Sequence, residues 1–101
     1  MHDRGGREIY LTNERWEHII DPHNHPEMSV CGEQLKETIR SSVREQDSLN
    51  PLKYRYVKAF AGLAEDNTHL VAIVLFRFSE DETEKLLQNN YVVTAYQKAV
   101  R

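Results

Sequence analysis

The sequence predicts an α+β fold, with two N-terminal helices packed on one face of a roughly four-stranded antiparallel sheet in the order β-α-α-β-β-β. Three observations predict it. Apolar residues recur at helical spacing between residues 12 and 43, and at a spacing of two from Lys53 onward. The connections after Lys53 are of hairpin length, which antiparallel neighbours can use and parallel ones cannot. Helical and strand patterns are therefore segregated along the chain, as in α+β layering. At 101 residues, positions 1–101 are expected to form a single domain around one core.

The elements follow in order. Glu8 to Leu11 alternates polar and apolar residues and reads as a short first strand. Thr12 suits an N-cap, and Leu11 before it can staple onto Trp16 at the N4 position. Trp16, Ile19 and Ile20 share a helical face, flanked by Arg15 and His18. Pro22 ends that helix by forcing the preceding residue out of the α region. Asp21 to Glu27 is a loop, after which either Pro26 opens the second helix or Ser29 caps it. Cys31, Leu35, Ile39 and Val43 recur every four residues, with Glu33, Lys36, Glu37 and Arg40 on the wet side.

Gln46 to Leu52 reads as a turn around Asn50-Pro51. In the next strand Tyr54, Tyr56, Lys58 and Phe60 point one way, and Lys53, Arg55, Val57 and Ala59 the other. Glu65-Asp66-Asn67 suits a hairpin connection. Leu70 to Phe78 is apolar on both faces, as in a central strand. Ser79 to Asn90 starts acidic and is expected to hold a short helical turn through Leu86 and Leu87. Tyr91 to Tyr96 is the last strand and Gln97 to Arg101 a polar tail. The helices cover one sheet face and leave the other as a shallow concave surface, but alternation does not say which face of the Lys53 strand is open.

Composition narrows the function. A net charge of −3 excludes indiscriminate coating of nucleic acid, which needs a basic domain, while permitting a local basic patch. One cysteine, Cys31, forms no internal disulfide, which favours a reducing compartment. Leu70 to Phe76 is too short to cross a bilayer, and Met1 to Glu8 carries no apolar leader. A cytoplasmic protein with no membrane partner is expected.

Three groups of residues carry chemical potential. His18, His23 and His25 cluster with Asp21 and Glu27. Imidazoles titrate near neutrality and can serve as general acid and base; they could instead be solvated loop residues. They could also join Asp21 as metal ligands, although the spacing matches no helical His-x-x-x-His motif. Lys53, Tyr54, Arg55, Tyr56 and Lys58 interleave cations and rings, which suits phosphates and stacked bases, but also suits an ordinary edge strand. Thr94 and Tyr96 point to one face and could hold a phosphate oxygen, and Arg15 could clamp a phosphate in bidentate fashion. Glu80, Asp81, Glu82 and Glu84 read as solvated surface, and Cys31 as core.

Trp16-Glu17-His18-Ile19-Ile20, then His25-Pro26-Glu27, then Lys53 to Lys58, then Val92-Val93-Thr94-Ala95-Tyr96 resembles, in that order, the barnase–EndoU–colicin–RelE-like nuclease superfamily, in its small phage- and toxin-associated branch. The resemblance spans about Ile9 to Tyr96. It implies two helices against a four-stranded antiparallel sheet and RNA cleavage without a metal or other cofactor. The matching positions are Arg15, His18, His25, the basic strand residues, Thr94 and Tyr96. Asp21-Pro22-His23-Asn24 stretches the usual spacing, leaving His23 and His25 as alternatives, of which Pro26-Glu27 favours His25.

On that resemblance the expected chemistry is attack of a ribose 2′-OH on the adjacent phosphorus. His18 and His25 would act as acid and base, and Arg15, Arg55 and Lys58 would stabilise charge. Thr94 would orient a phosphate oxygen, Lys53 would meet the backbone, and Tyr56 or Tyr96 would stack on a base. Lys58 and Arg55 alternate to opposite faces, so both reach one site only if a bulge intervenes. RNA is the expected partner, with a cognate antitoxin expected to mask the basic strand and the histidine loop. The competing expectation is a catalytically inactive RNA- or protein-binding module of the same fold.

Overall fold

The computed structural model describes residues 1–80 and 86–100. Its elements are β1 (Ile9–Tyr10), α1 (Asn13–Ile20), a 3₁₀ segment (Pro26–Val30), α2 (Gly32–Ser41), β2 (Arg44–Gln46), β3 (Lys53–Ala59), β4 (His69–Leu75), β5 (Phe78–Glu80), β6 (Leu86–Gln88) and β7 (Asn90–Lys98). The α+β class holds, with both helices preceding the main body of the sheet. The sheet has five strands, not four, in the order β1-β7-β4-β3-β2, and β1 runs parallel to β7. The added strand is β2, whose Arg44, Glu45 and Gln46 offer no apolar alternation to reveal it. A short, polar edge strand of this kind discourages pairing with other chains.

Local signals account for both helices. Thr12 Oγ1 accepts the Arg15 backbone N–H at 3.1 Å, capping α1. Asp21, held extended before Pro22 at φ −54° and ψ 139°, ends it. Pro26 opens the separate 3₁₀ segment, and α2 begins after Cys31 with no side-chain cap. α2 stops at Ser41, so Val43, expected on its apolar stripe, leaves the helix and is 68% exposed.

Helices this short are marginal alone, and packing holds them. Ile19, Met28, Leu35 and Ile39 meet Tyr56, Leu70, Ala72, Val74, Val92 and Ala95 in one buried cluster. Burying each large aliphatic side chain contributes about 1.5–3 kcal/mol.

Two further expectations are corrected. Leu86 and Leu87, expected in a helical turn, lie in β6, which pairs antiparallel with β5; the intervening 81–85 lie outside the described residues. β7 runs on through Gln97 and Lys98, expected as the start of the tail, and Gln97 is buried; Arg101 lies outside the described residues.

A β-bulge sets the orientation of β7. Ile73 pairs with Thr94 but Val74 pairs with Val92, so Val93 is the extra residue. The shift lets Val92, Ala95 and Gln97 all face the helices while Thr94, Tyr96 and Lys98 face away.

A polar anchor ties the N-terminus to the sheet. Tyr56 Oη donates to Asp3 Oδ2 at 2.7 Å, and Arg7 Nη1 donates to the same oxygen at 3.2 Å. Asp3 Oδ1 accepts from the Gly5 and Arg7 backbone N–H groups, closing a turn in which Gly6 takes φ +80°. Burial pushes the Asp3 carboxyl up, but the Tyr56 hydroxyl, the Arg7 backbone and the Arg7 guanidinium outweigh it and hold the group below its ordinary value. Burial first, then the Asp3 hydrogen bond and charge, push the Tyr56 phenol well above its ordinary value.

Tyr56→Phe removes a donor from a buried carboxylate and is expected to cost about 1–3 kcal/mol of stability at neutral pH, read by urea denaturation. A depressed carboxyl contributes stability above its unfolded pKa that is lost as pH falls through the folded one. The gap between Tyr56→Phe and the parent chain is therefore expected to narrow as pH drops below about 4.

Candidate functional site

The sheet face turned away from the helices carries cross-strand rows that the register defines. One row runs Glu45, Arg55, Ile73, Thr94 across β2, β3, β4 and β7; the next holds Val57, Val71 and Tyr96. Lys53 shares this face one row further on, opposite Leu75. Thr94 and Tyr96 thus share the face of Arg55 and Lys53, which answers the question alternation left open.

A cavity of about 480 Å³ opens here, lined by Lys53, Arg55, Ile73 and Tyr96, with Glu45 and Asp47 on its rim beside β2. Arg55 Nη2 donates to Glu45 Oε2 at 2.6 Å, and this bond leads the causes that raise the guanidinium's pKa. Both partners are exposed, and such a pair contributes at most about 1 kcal/mol, so an incoming anion can compete for Arg55. Asp47 accepts the Leu49 and Asn50 backbone N–H groups, which hold its carboxyl below the ordinary value and fix the β2–β3 turn.

His25 reaches this neighbourhood from the loop after α1. Its backbone N–H donates to the Ile19 carbonyl at 2.9 Å, and the Asn24 amide donates to the His18 carbonyl at 3.0 Å. The loop so folded back sets the His25 ring 5.6 Å from the Tyr96 ring, centroid to centroid and tilted by 33°. Glu27 Oε1 lies 3.6 Å from His25 Nδ1 and becomes an ion-pair partner when the ring is protonated. His23 lies exposed on the same loop, its backbone N–H donating to Asp21 Oδ1. Among the described residues no three His, Cys, Asp or Glu side chains are grouped to hold a metal ion.

The remaining expected residues lie elsewhere. Arg15 and His18 line a hollow of about 430 Å³ with Thr12 and Glu14 on the outer side of α1, and Arg15 also borders a second hollow beside Tyr91 and Val92. Tyr56, expected as an alternative base-stacking ring, is 1% exposed beneath the helices and bonded to Asp3, so a base cannot reach it. Lys58 shares that helix-covered face and lies near Glu37 of α2. The register of β3 on β4 is unbroken from Lys53 to Ala59, so no bulge in β3 brings Lys58 round to Arg55. Glu37 itself is held below the ordinary carboxyl range chiefly by Arg40, which pairs with it on the exposed side of α2.

One positioning residue was not legible. Gln97 Oε1 accepts the Ala64 backbone N–H at 2.8 Å, and its Nε2 donates to the Glu27 carbonyl at 3.5 Å and to Cys31 Sγ at 3.2 Å. It thereby ties the segment following His25 and the β3–β4 connection to the strand that carries Tyr96. Only its place in β7, beyond an unseen bulge, could have marked it as inward-facing.

Comparison with family models, curated proteins and solved structures finds no match to this chain. Among the described residues no helix is long and apolar enough to cross a membrane.

Gln97→Leu leaves the Ala64 N–H and the Glu27 carbonyl without this partner and is expected to destabilise the fold by about 1–3 kcal/mol. Hydrogen exchange checks the location of the effect: amides 24–31 and 60–67 lose protection ahead of the β4 core.

Proposed function

We propose that this protein is a metal-independent endoribonuclease that cleaves RNA by attack of a ribose 2′-OH on the adjacent phosphorus. One observation carries the reading: His25 stands against Tyr96 on the sheet face that also bears Arg55, Thr94 and Lys53. Such a face matches what a flexible RNA segment needs, a ring to stack on, cations for phosphate and an imidazole for proton transfer. The order of sequence motifs, resembling the barnase–EndoU–colicin–RelE-like superfamily, supports the same reading.

In this mechanism a base stacks on Tyr96 and the neighbouring phosphate exchanges with Glu45 for the Arg55 guanidinium. His25 takes the 2′-OH proton as the oxygen bonds to phosphorus. Solvent protonates the departing 5′-oxygen, leaving a 2′,3′-cyclic phosphate and a 5′-OH. Arg55 offsets the charge that develops on the phosphorane, and Thr94 orients a phosphate oxygen. A toxin of this kind would be restrained by a cognate antitoxin covering the Arg55 face and the histidine loop.

A second reading, an RNA- or protein-binding module that cleaves nothing, is favoured by one specific observation. The cavity beside Arg55 is lined by neither histidine, and His18 belongs to the separate hollow on α1.

Incubating a mixed RNA pool with the purified protein in EDTA separates the two. Nuclease action is expected to yield cyclic-phosphate and 5′-OH ends, with His25→Ala slowing cleavage by about 10²- to 10⁴-fold and Arg55→Ala weakening RNA binding. Intact RNA after long incubation with a well-folded, partner-free protein, with or without added divalent metal, would sink the nuclease and leave the binding module.

A further inference from the structure

Arginines gather at one other place in this acidic chain, on the opposite side of the sheet. A hollow of about 370 Å³ lies between the N-terminal turn and the α2–β2 junction. Arg4, Arg7 and Arg44 all line it, with Asp3 and Tyr56 beside them. Three arginines against one carboxylate make its surroundings cationic in a chain whose net charge is −3.

The three arginines differ in what already engages them. Arg7 is held by Asp3. Arg44 lies over two rings, its Cζ 4.0 Å from the Tyr54 centroid and 4.8 Å from that of Phe76, and has no carboxylate partner among the described residues. A guanidinium stacked this way has its plane fixed and its N–H edge free for bidentate contacts. Arg4 is exposed and makes no hydrogen bond or ion pair among the described residues. Gly5 belongs to the same construction, because a Cβ there would lie 2.2 Å from Arg7 Nη1 and push the guanidinium out of the turn.

We propose that this hollow binds a phosphate monoester, with Arg4 and Arg44 as its principal ligands and Arg7 behind them. Bringing like charges together costs free energy that a bound anion recovers. The excess of two cations over the one carboxylate favours a dianion over a singly charged carboxylate or phosphodiester, and a phosphate monoester carries about −1.5 to −2 at pH 7. Guanidinium forks also match phosphate oxygens in pairs. The site does not depend on the ribonuclease reading, since it uses none of the residues placed in that mechanism.

Two sources share this chemistry, a free phosphate compound and the phosphorylated end of a nucleic acid strand. The first arm of the test titrates the full chain with inorganic phosphate at constant ionic strength, followed by ¹⁵N NMR, beside Arg4→Ala and Arg44→Lys. Saturable shifts at Arg4, Arg44 and Ser42, weakened roughly fivefold or more in each variant, are expected. Arg4→Ala removes an unengaged exposed side chain, so it remains informative even if Arg44→Lys disturbs folding. The second arm compares 5′-phosphorylated and 5′-hydroxyl versions of one short 2′-deoxy oligonucleotide, which 2′-OH chemistry cannot cleave. Tighter binding of the phosphorylated strand, lost in Arg4→Ala, assigns the strand end. Equal binding of the two strands, with the inorganic phosphate response intact, assigns free phosphate compounds. The proposal is overturned if inorganic phosphate produces no saturable shifts and the two strands bind alike, or if both variants respond as the parent chain does.

Discussion

The constraint on which the rest of the structure depends is the double duty of β7. This strand pairs with β1 on one side and β4 on the other, packs under α1 and the 3₁₀ segment, and still supplies side chains to the far face of the sheet. A regular strand alternates strictly, so burying Val92 would turn Thr94 and Tyr96 toward the helices. The extra residue, Val93, breaks the alternation once. Before it Asn90 and Val92 are buried; after it Ala95 and Gln97 are. One inserted residue therefore fills the core at both ends of the strand and delivers a threonine and a tyrosine to the Arg55 face. It also turns Gln97 inward, where its amide holds the segment following His25. The neighbourhood of His25 and Tyr96 is a consequence of that shift.

Much of the fold was legible because its signals are local. Thr12 capping α1, Pro22 ending it and the period-two run from Lys53 each depend on a few consecutive residues, and each element formed where its signal lay. What stayed hidden depends on pairing. β2 carries three polar residues, and only its partners Tyr54, Arg55 and Tyr56 make it a strand. Leu86 and Leu87 suit a helical turn as readily as a strand, and the ladder to Glu80 and Ser79 decides. For the site, the shared face of Thr94 and Tyr96 was legible, since they lie beyond the bulge and alternate normally. The fates of Tyr56 and Lys58 were not. Both aromatic and basic residues suit a wet or a covered face, and the buried partner of the Tyr56 hydroxyl is Asp3, distant in sequence.

The distribution of charge explains how an acidic chain can still offer two cationic surfaces. Several acidic groups are engaged close to home: Glu37 with Arg40, Glu33 with Lys36, Asp47 with its own turn amides. Exposed pairs of this kind contribute little to stability, but they neutralise charge locally and limit its reach, which solvent ions shorten further to about 10 Å. Net charge is thus a poor guide to what an anion meets at a given point on the surface. At Arg55 it meets a guanidinium shared with one exposed carboxylate; at Arg44 it meets one shared with none among the described residues.

β2 links these two surfaces. Its three residues alternate, so Arg44 projects toward the helix side beside Tyr54 while Glu45 projects to the other face against Arg55. A strand short enough to escape sequence reading therefore forms the rim of both hollows. Because the backbone between Arg44 and Glu45 is fixed by pairing with Tyr56 and Arg55, the two side chains cannot exchange faces without breaking the ladder. The surfaces are thereby kept chemically distinct although they are one residue apart in sequence. The Arg55 face joins cations to a carboxylate rim, a tyrosine and a nearby imidazole. The Arg44 hollow has no imidazole among its lining residues, and the rings that hold the Arg44 guanidinium, Tyr54 of β3 and Phe76 just after β4, lie beside it.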